Sequence, residues 1–421
     1  MAHPSKSRQR LSGLRLQGLT FQLFVFIVLP LAVLVVVIAR RPLAAYLDVP
    51  PIGIWLILLH FVGACALSVI GAVFQASGQM ARYGVCLLLD KAVMLSCIVV
   101  FPAVWTANPV IVLACYAASS LLVAIWGASA VGLRTLRPVV PTRSAYRQML
   151  AFSAPVLLTS WAGLFGANWF DLVILRWYVP MSGIGVYSLA GQLAGVVQQI
   201  TIIFSTLVLP PLSVMVAERQ DARIRTLVER LLPYWLLGAS ILFSVVLLGA
   251  RAGVSLVFGE SFSGAAPILA LLMVATSAVA LFNACAPIVA AYGSMWVLSG
   301  IFLLSAAANV VLDLLLIPSF GVLGSALATV LAYGTSAVLV LLFVERKLGA
   351  RVLRLGWLSA PVVVACICFM ALDGLWFYLA ASIATALTVL VLVGVFRLFH
   401  NDDAVFLKAL GLPMPFGLGA G

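Results

Sequence analysis

The sequence predicts an all-α polytopic membrane protein of about twelve transmembrane helices, and three observations carry that prediction. Of its 421 residues, 64% are hydrophobic and only 9% are charged, more apolar surface than one soluble core can hide. The apolar residues fall into repeated runs of about 20, the length at which a helix crosses a hydrocarbon layer of roughly 30 Å. Runs such as FQLFVFIVLPLAVLVVVIA are apolar on every face, whereas the strands of a membrane β-barrel alternate apolar and polar positions.

Residues 1–18 are polar and basic and read as a cytoplasmic N-terminus. The apolar run that follows is too long for a cleaved leader and has no small-residue cleavage site behind it, so the first helix is expected to stay as an anchor. Runs at 19–39, 52–74, 84–107 and 109–133 form a four-helix N-terminal group over 19–133. A basic linker at 134–148 carries Pro138 and Pro141. Eight further runs, at 149–175, 183–216, 231–250, 264–291, 295–317, 320–344, 355–374 and 376–397, fill 149–399, and 400–421 is a cytoplasmic tail. The segment 217–230 mixes Glu, Asp and Arg and suits a short amphipathic helix lying on the membrane surface. No loop is long enough to fold as a domain, so function must sit within the helices.

The net charge of +12 could suggest nucleic acid, but its placement is topological. With twelve crossings, 20 of the 24 Lys and Arg residues fall on the side of the N-terminus. The opposite side holds only Arg40, Arg41, Arg176 and Arg251. The positive-inside rule therefore puts both termini in the cytoplasm, and the expected location is a bacterial inner membrane. The seven cysteines lie in or beside apolar runs without metal-ligand spacing and read as packing residues.

Several runs carry helix-perturbing residues: Pro155, Gly163, Gly166 and Asn168, then Pro210 and Pro211, then Asn283 and Pro287. Each reads singly as a packing or kink position; together they suit bent helices that line a cavity opening alternately to either side.

The segment NVVLDLLLIPSFGVLGSALATVLAYG, Asn309 to Gly334, resembles the polysaccharide transporter family of flippases within the MATE-like MOP superfamily. Pro318 is expected to stop one helix, Gly321 to make a hairpin, and Gly324, Ala326 and Ala328 to let the returning helix pack closely. FSAPVLLTS followed by NWFDLVILRWYVPMSGIGVYSLAGQL resembles the first helix pair of that family's second lobe, on Pro155, Asp171, Gly185, Tyr187 and Ala190. VFGESFSGAAPIL and AVFQASGQMARYG resemble an external turn of the second lobe and a helix end of the first. The resemblance implies a two-lobed MOP-type transporter bundle spanning the chain with its first lobe incomplete. Members commonly carry six helices before the Pro-to-Asp helix, and this chain has four. A late start codon, a truncated gene and a diverged form are all compatible with that count.

The resemblance implies a flippase that moves undecaprenyl-pyrophosphate-linked oligosaccharide across the inner membrane for exopolysaccharide, capsule or O-antigen (lipopolysaccharide) biosynthesis. Lipid-linked oligosaccharide and membrane lipids are the expected partners, with a polysaccharide polymerase and export machinery beside them, and no nucleic acid. No cofactor, resident metal or catalytic residue is expected, and the coupling ion, where one is used, is Na+ or H+. The alternative is an ion-coupled MATE-like exporter of small organic molecules. A polymerase or ligase would need catalytic groups on a large external loop, and the sequence has none, so the chain is not expected to be an enzyme.

Without bond chemistry to catalyse, the candidate residues are polar groups inside apolar helices. Asp171 could belong to a cavity or cation-coupling site, and Arg176, five residues on, could contact phosphate or sugar; both also read as a helix end with a snorkelling arginine. Arg147 could meet pyrophosphate at the cytoplasmic entrance or simply set topology. Gln192, Gln198, Gln199 and Asn283 could face sugar or hydrogen-bond between helices. Asp90 and Lys91 read as an ion pair at the cytoplasmic start of the third span, Asp313 as lying near the external end of its helix, and Arg251 as a loop residue.

Overall fold

The computed structural model describes residues 29–47, 50–76, 79–104, 109–131, 169–293, 295–396 and 398. The chain divides into two compact units, Met1–Ala151 and Phe152–Gly421. The described residues of the first form α1 (Leu29–Leu47), α2 (Pro51–Ala76), α3 (Met80–Val104) and α4 (Pro109–Val131). Those of the second form α5 (Trp169–Tyr178), α6 (Met181–Ala217), α7 (Asp221–Thr226), α8 (Leu232–Phe258), α9 (Ala265–Ala291), α10 (Met295–Phe320), α11 (Val322–Leu348), α12 (Ala360–Ala371) and α13 (Gly374–Val395). Among the described residues nine helices are long and apolar enough to cross a membrane. With α1, α3 and the described part of α5 they fall on the twelve runs read from hydropathy. The chain is a multi-pass, all-helical membrane protein.

In the first unit α2 lies tightly on α4 because Gly63 has no side chain: a Cβ there would sit 2.4 Å from Ser120 Oγ. Ile70, Phe74, Cys86, Val123 and Ala124 form the small core between α2, α3 and α4. The His60 Nδ1 is 3.0 Å from the Tyr116 carbonyl oxygen and 3.2 Å from Ser120 Oγ. Asp90 and Lys91 do not stand at the start of their span. The helix begins at Met80 and takes in Arg82, which donates to Gln79 Oε1 at 2.8 Å. At about 1.5 Å per residue the pair lies roughly 15 Å along it. Asp90 is buried and accepts from Lys91 Nζ at 2.8 Å and Ser119 Oγ at 3.2 Å.

In the second unit α9 is the axis about which α6, α8 and α11 pack, and its small residues Ala265, Ala266, Ala270, Ala280 and Ala284 are buried against them. Small side chains permit this approach where lipid supplies no hydrophobic drive between helices. The α10–α11 hairpin forms where the sequence placed it. Gly321 turns at φ 56° and ψ −134°, and a Cβ on Gly324 would meet the Leu316 carbonyl oxygen at 2.4 Å. Pro318 lies inside the last turn of α10 rather than ending it, since the helix continues to Phe320.

Two expectations are corrected here. The 217–230 segment is no separate surface helix: α7 passes through a π-helical turn, Leu227–Leu231, straight into α8. Ile224, Leu227 and Val228 are buried in the unit's core, so this apolar face packs on protein. Arg251 is no loop residue either. It lies within α8, which extends to Phe258 before Gly259, at φ 88°, breaks it.

Candidate functional site

Among the described residues of the second unit, a cluster of buried polar side chains lies where α5, α6, α10 and α11 meet. Asp171, Tyr187, Asn309, Asp313, Ser325 and Thr329 converge there, every one buried. The two hairpins bring them together. Asp171 and Asp313 each stand seven residues before a helix end, about 10 Å along the axis, while Tyr187, Ser325 and Thr329 lie in the first two turns after the reversals. Asn309 and Asp313 are four apart on α10, as are Ser325 and Thr329 on α11, so each pair shares a face.

The hydrogen bonds centre on Asp171. Tyr187 donates its hydroxyl to Asp171 Oδ2 at 2.7 Å, and Asn309 Nδ2 donates to Oδ1 at 2.8 Å. Thr329 Oγ1 lies 3.4 Å from Oδ2, while also donating to the Ser325 carbonyl oxygen at 3.0 Å. Ser325 Oγ donates to the Tyr187 hydroxyl oxygen at 3.1 Å. The same Asn309 nitrogen is 3.3 Å from Asp313 Oδ2, so one amide bridges two buried carboxyl groups.

That arrangement leaves positive charge wanting. No Lys or Arg pairs with either aspartate among the described residues, and two like charges sharing a buried amide cannot both remain ionised without compensation. Asn309 Oδ1 and Asp313 Oδ1 are buried and lack a hydrogen-bond donor among the described residues. The available donor atoms are all oxygens: two carboxylates, an amide oxygen and hydroxyls. Such a set fits a hard monovalent cation or a proton and does not fit a thiophilic metal. No group of three or more His, Cys, Asp or Glu side chains is gathered for a metal among the described residues.

Of the predicted site residues among those described, only Asp171 belongs to this cluster. Arg176 is half-buried toward the end of α5, with Nη1 3.1 Å from Met181 Sδ. Gln192 is exposed and lies 3.4 Å from Ser188 Oγ. Asn283 Nδ2 donates to the Thr201 hydroxyl at 2.7 Å, tying α9 to α6, while that hydroxyl donates to the backbone carbonyl oxygen of Gln198 one turn back at 2.8 Å. Gln199 is exposed, and Arg147 lies outside the described residues. Asp313 stands seven residues before the end of α10 at Phe320 and is fully buried against Asn309. Asn309, Ser325 and Thr329 escaped the sequence reading, although two polar pairs at four-residue spacing on either side of a Gly hairpin would have pointed to them.

Comparison with known protein families finds no matching family description. Among curated proteins the chain is 21% identical over 215 residues to the probable low-salt glycan biosynthesis flippase Agl15 of Haloferax volcanii. That alignment takes in 51% of this chain and 44% of the relative, so the match spans less than half of the relative's length. Among solved structures, the lipid II flippase MurJ in an inward closed conformation superposes with a TM-score of 0.65 at 12% identity, over 97% of this chain and 86% of MurJ. The chain thus shares its fold with MurJ. An outward-facing multidrug-resistance MATE transporter of the MOP superfamily matches with a TM-score of 0.52 at 11% identity, over 80% of this chain and 83% of the transporter. The fold is thus shared with both a lipid II flippase and a multidrug-resistance transporter.

Proposed function

We propose that this chain moves an undecaprenyl-pyrophosphate-linked oligosaccharide from the inner to the outer leaflet of a bacterial inner membrane, in the assembly of exopolysaccharide, capsule or O-antigen. The observation that carries the reading is the similarity to a glycan biosynthesis flippase, within a fold that matches MurJ over 97% of the chain. A polymerase and an export apparatus would act on the glycan afterwards. The work is conformational, so no catalytic group is needed. Arg176, Gln192 and Gln198 are proposed contacts for phosphate and sugar, and Arg147 for the cytoplasmic entrance.

The Asp171–Asn309–Asp313 cluster is the proposed coupling site. A bound Na+ or a proton would neutralise the two carboxyl groups. Asp171 and Asp313 would hold the charge, while Asn309 Oδ1 and the Thr329 hydroxyl would complete the oxygen shell. Because the cluster is shared by α5, α6, α10 and α11, its charge state bears directly on how those helices pack.

The test is accumulation of lipid-linked oligosaccharide in inverted membrane vesicles carrying the chain, with and without an imposed Na+ or proton gradient. Protection of the glycan inside the vesicles supports the reading; no protection with either gradient sinks it. The exporter alternative is favoured by the MATE likeness, and would instead give gradient-driven efflux of organic cations with no effect on the glycan.

A further inference from the structure

A second site lies away from the aspartate cluster, among α8, α9 and α12 near the reversals that follow Phe258 and Ala371. Arg251 stands seven residues before the end of α8. Its Nη1 donates to Asp373 Oδ1 and its Nη2 to the Phe369 carbonyl oxygen at 2.7 Å. The guanidinium carbon sits 4.5 Å from the Phe369 ring centroid and 5.1 Å from that of Phe377, and those rings meet edge to face at 5.2 Å. The arginine is therefore fixed in place while its side chain stays 30% exposed; the side chain of its partner Asp373 is 94% exposed.

Arg251 opens onto a cavity of about 420 Å³ that also presents the hydroxyls of Ser255 and Ser263. A second cavity, of about 430 Å³, shares Met370 with the first and is lined by Leu271, Val274, Val363 and Ile367. From Ala266 in the first to Val274 in the second is about two turns of α9, roughly 12 Å toward the membrane interior. The two form one trough with a polar mouth and an apolar floor. Each volume lies in the range of ligand pockets.

We propose that this trough holds a phosphatidylethanolamine-type phospholipid. Its phosphate lies on Arg251 and the two serines, its ammonium on the exposed carboxylate of Asp373, and one acyl chain along α9 and α12. Charge complementarity selects this occupant. The mouth presents one cation beside one anion, and a zwitterionic headgroup matches both. A purely anionic headgroup would set a second negative charge near Asp373. An exposed Arg–Asp pair is worth little by itself, so a headgroup can engage both partners at small cost. Guanidinium–phosphate bonds are charge-assisted and directional. The aromatic rings hold Arg251 in position, and the floor offers only apolar contact. The topology read from charge puts the mouth at the outer leaflet. The site does not depend on which substrate the chain transports.

Native mass spectrometry of the full-length protein in detergent, supplemented with phosphatidylethanolamine or phosphatidylglycerol, tests this. The wild-type chain is expected to retain one phosphatidylethanolamine at least tenfold better than phosphatidylglycerol. Arg251→Gln should lose both lipids, and Asp373→Asn should abolish the preference while keeping phosphatidylglycerol bound. Val274→Trp, which fills the floor, should expel the lipid without touching the mouth, and thermal melting would check that each variant is folded. Glycerophosphoethanolamine, the headgroup without chains, should bind at least tenfold more weakly. Equal retention of the two lipids, unchanged retention in folded Arg251→Gln or Val274→Trp, or equal binding of the chainless headgroup would each overturn the proposal.

Discussion

Asp171 sits between three hydroxyl or amide donors, from Tyr187, Asn309 and Thr329, and a second carboxyl group, and substitutions in this cluster should differ in effect. Asp171→Asn and Asp313→Asn keep size while removing charge, so the fold should survive and transport should fall by at least about tenfold, equivalent to roughly 1.4 kcal/mol or more. Glycan protection in vesicles reads the transport, and thermal melting in detergent reads the fold. Asn309→Leu is different in kind. It strips Asp171 Oδ1 of its donor in a buried place, which costs about 1–3 kcal/mol and should lower the melting temperature as well as transport. If Asn309→Leu melts like the wild type, the amide is not bridging the two carboxyl groups. Thr329→Val removes a longer contact, 3.4 Å, and should have the smallest effect of the four.

Among the elements, the α10–α11 hairpin is closely constrained. Gly324→Ala would push a methyl group into the Leu316 carbonyl, and the strain of overpacking is typically about 1–3 kcal/mol. A methyl group at Gly334, further along α11, would meet only open space, so Gly334→Ala should be neutral or slightly stabilising. Equal melting of the two variants would show that the hairpin relaxes. At the opposite helix ends, the turn between α9 and α10 is clasped: the Tyr292 hydroxyl donates to Asp221 Oδ1 at 2.6 Å, and Lys347 Nζ lies 4.9 Å from the Tyr292 ring centroid. Burial first, then the hydrogen bond and charge of Asp221, push the Tyr292 hydroxyl up to about 12 from its usual 10.0. A raised folded-state value means that the clasp contributes fully below about pH 10 and is lost as pH rises through about 12. Because the residues are partly exposed, Tyr292→Phe should cost under about 1 kcal/mol. Its melting curve should converge with that of the wild type above that window.

At the scale of the whole molecule, hydropathy made the crossings legible because the bilayer sets a minimum length on every crossing helix, and the Gly321 hairpin was legible because glycine suits the φ 56°, ψ −134° turn. The site was legible only at Asp171. Its partners lie up to 158 residues away in sequence, and they became neighbours through the packing of hairpin-linked helices, which composition does not encode. Depth along a helix was misread for the same reason at Asp90 and Arg251: an apolar run marks that a helix crosses, while its ends depend on capping turns and tertiary contacts. Orientation makes the last prediction. With 20 of the 24 basic residues assigned to one face, the positive-inside rule predicts the turn at Glu260 outside and the turn at Arg351 inside. The three helices α9, α10 and α11 between them force opposite sides. Single cysteines at those two positions, in a chain whose seven native cysteines are replaced, should react differently with a membrane-impermeant maleimide on intact cells. Position 260 should label at once, and position 351 only after permeabilisation. The reverse pattern would invert the topology and move the Arg251 trough to the inner leaflet. Labelling of both positions from outside would mean that one of the three helices fails to cross.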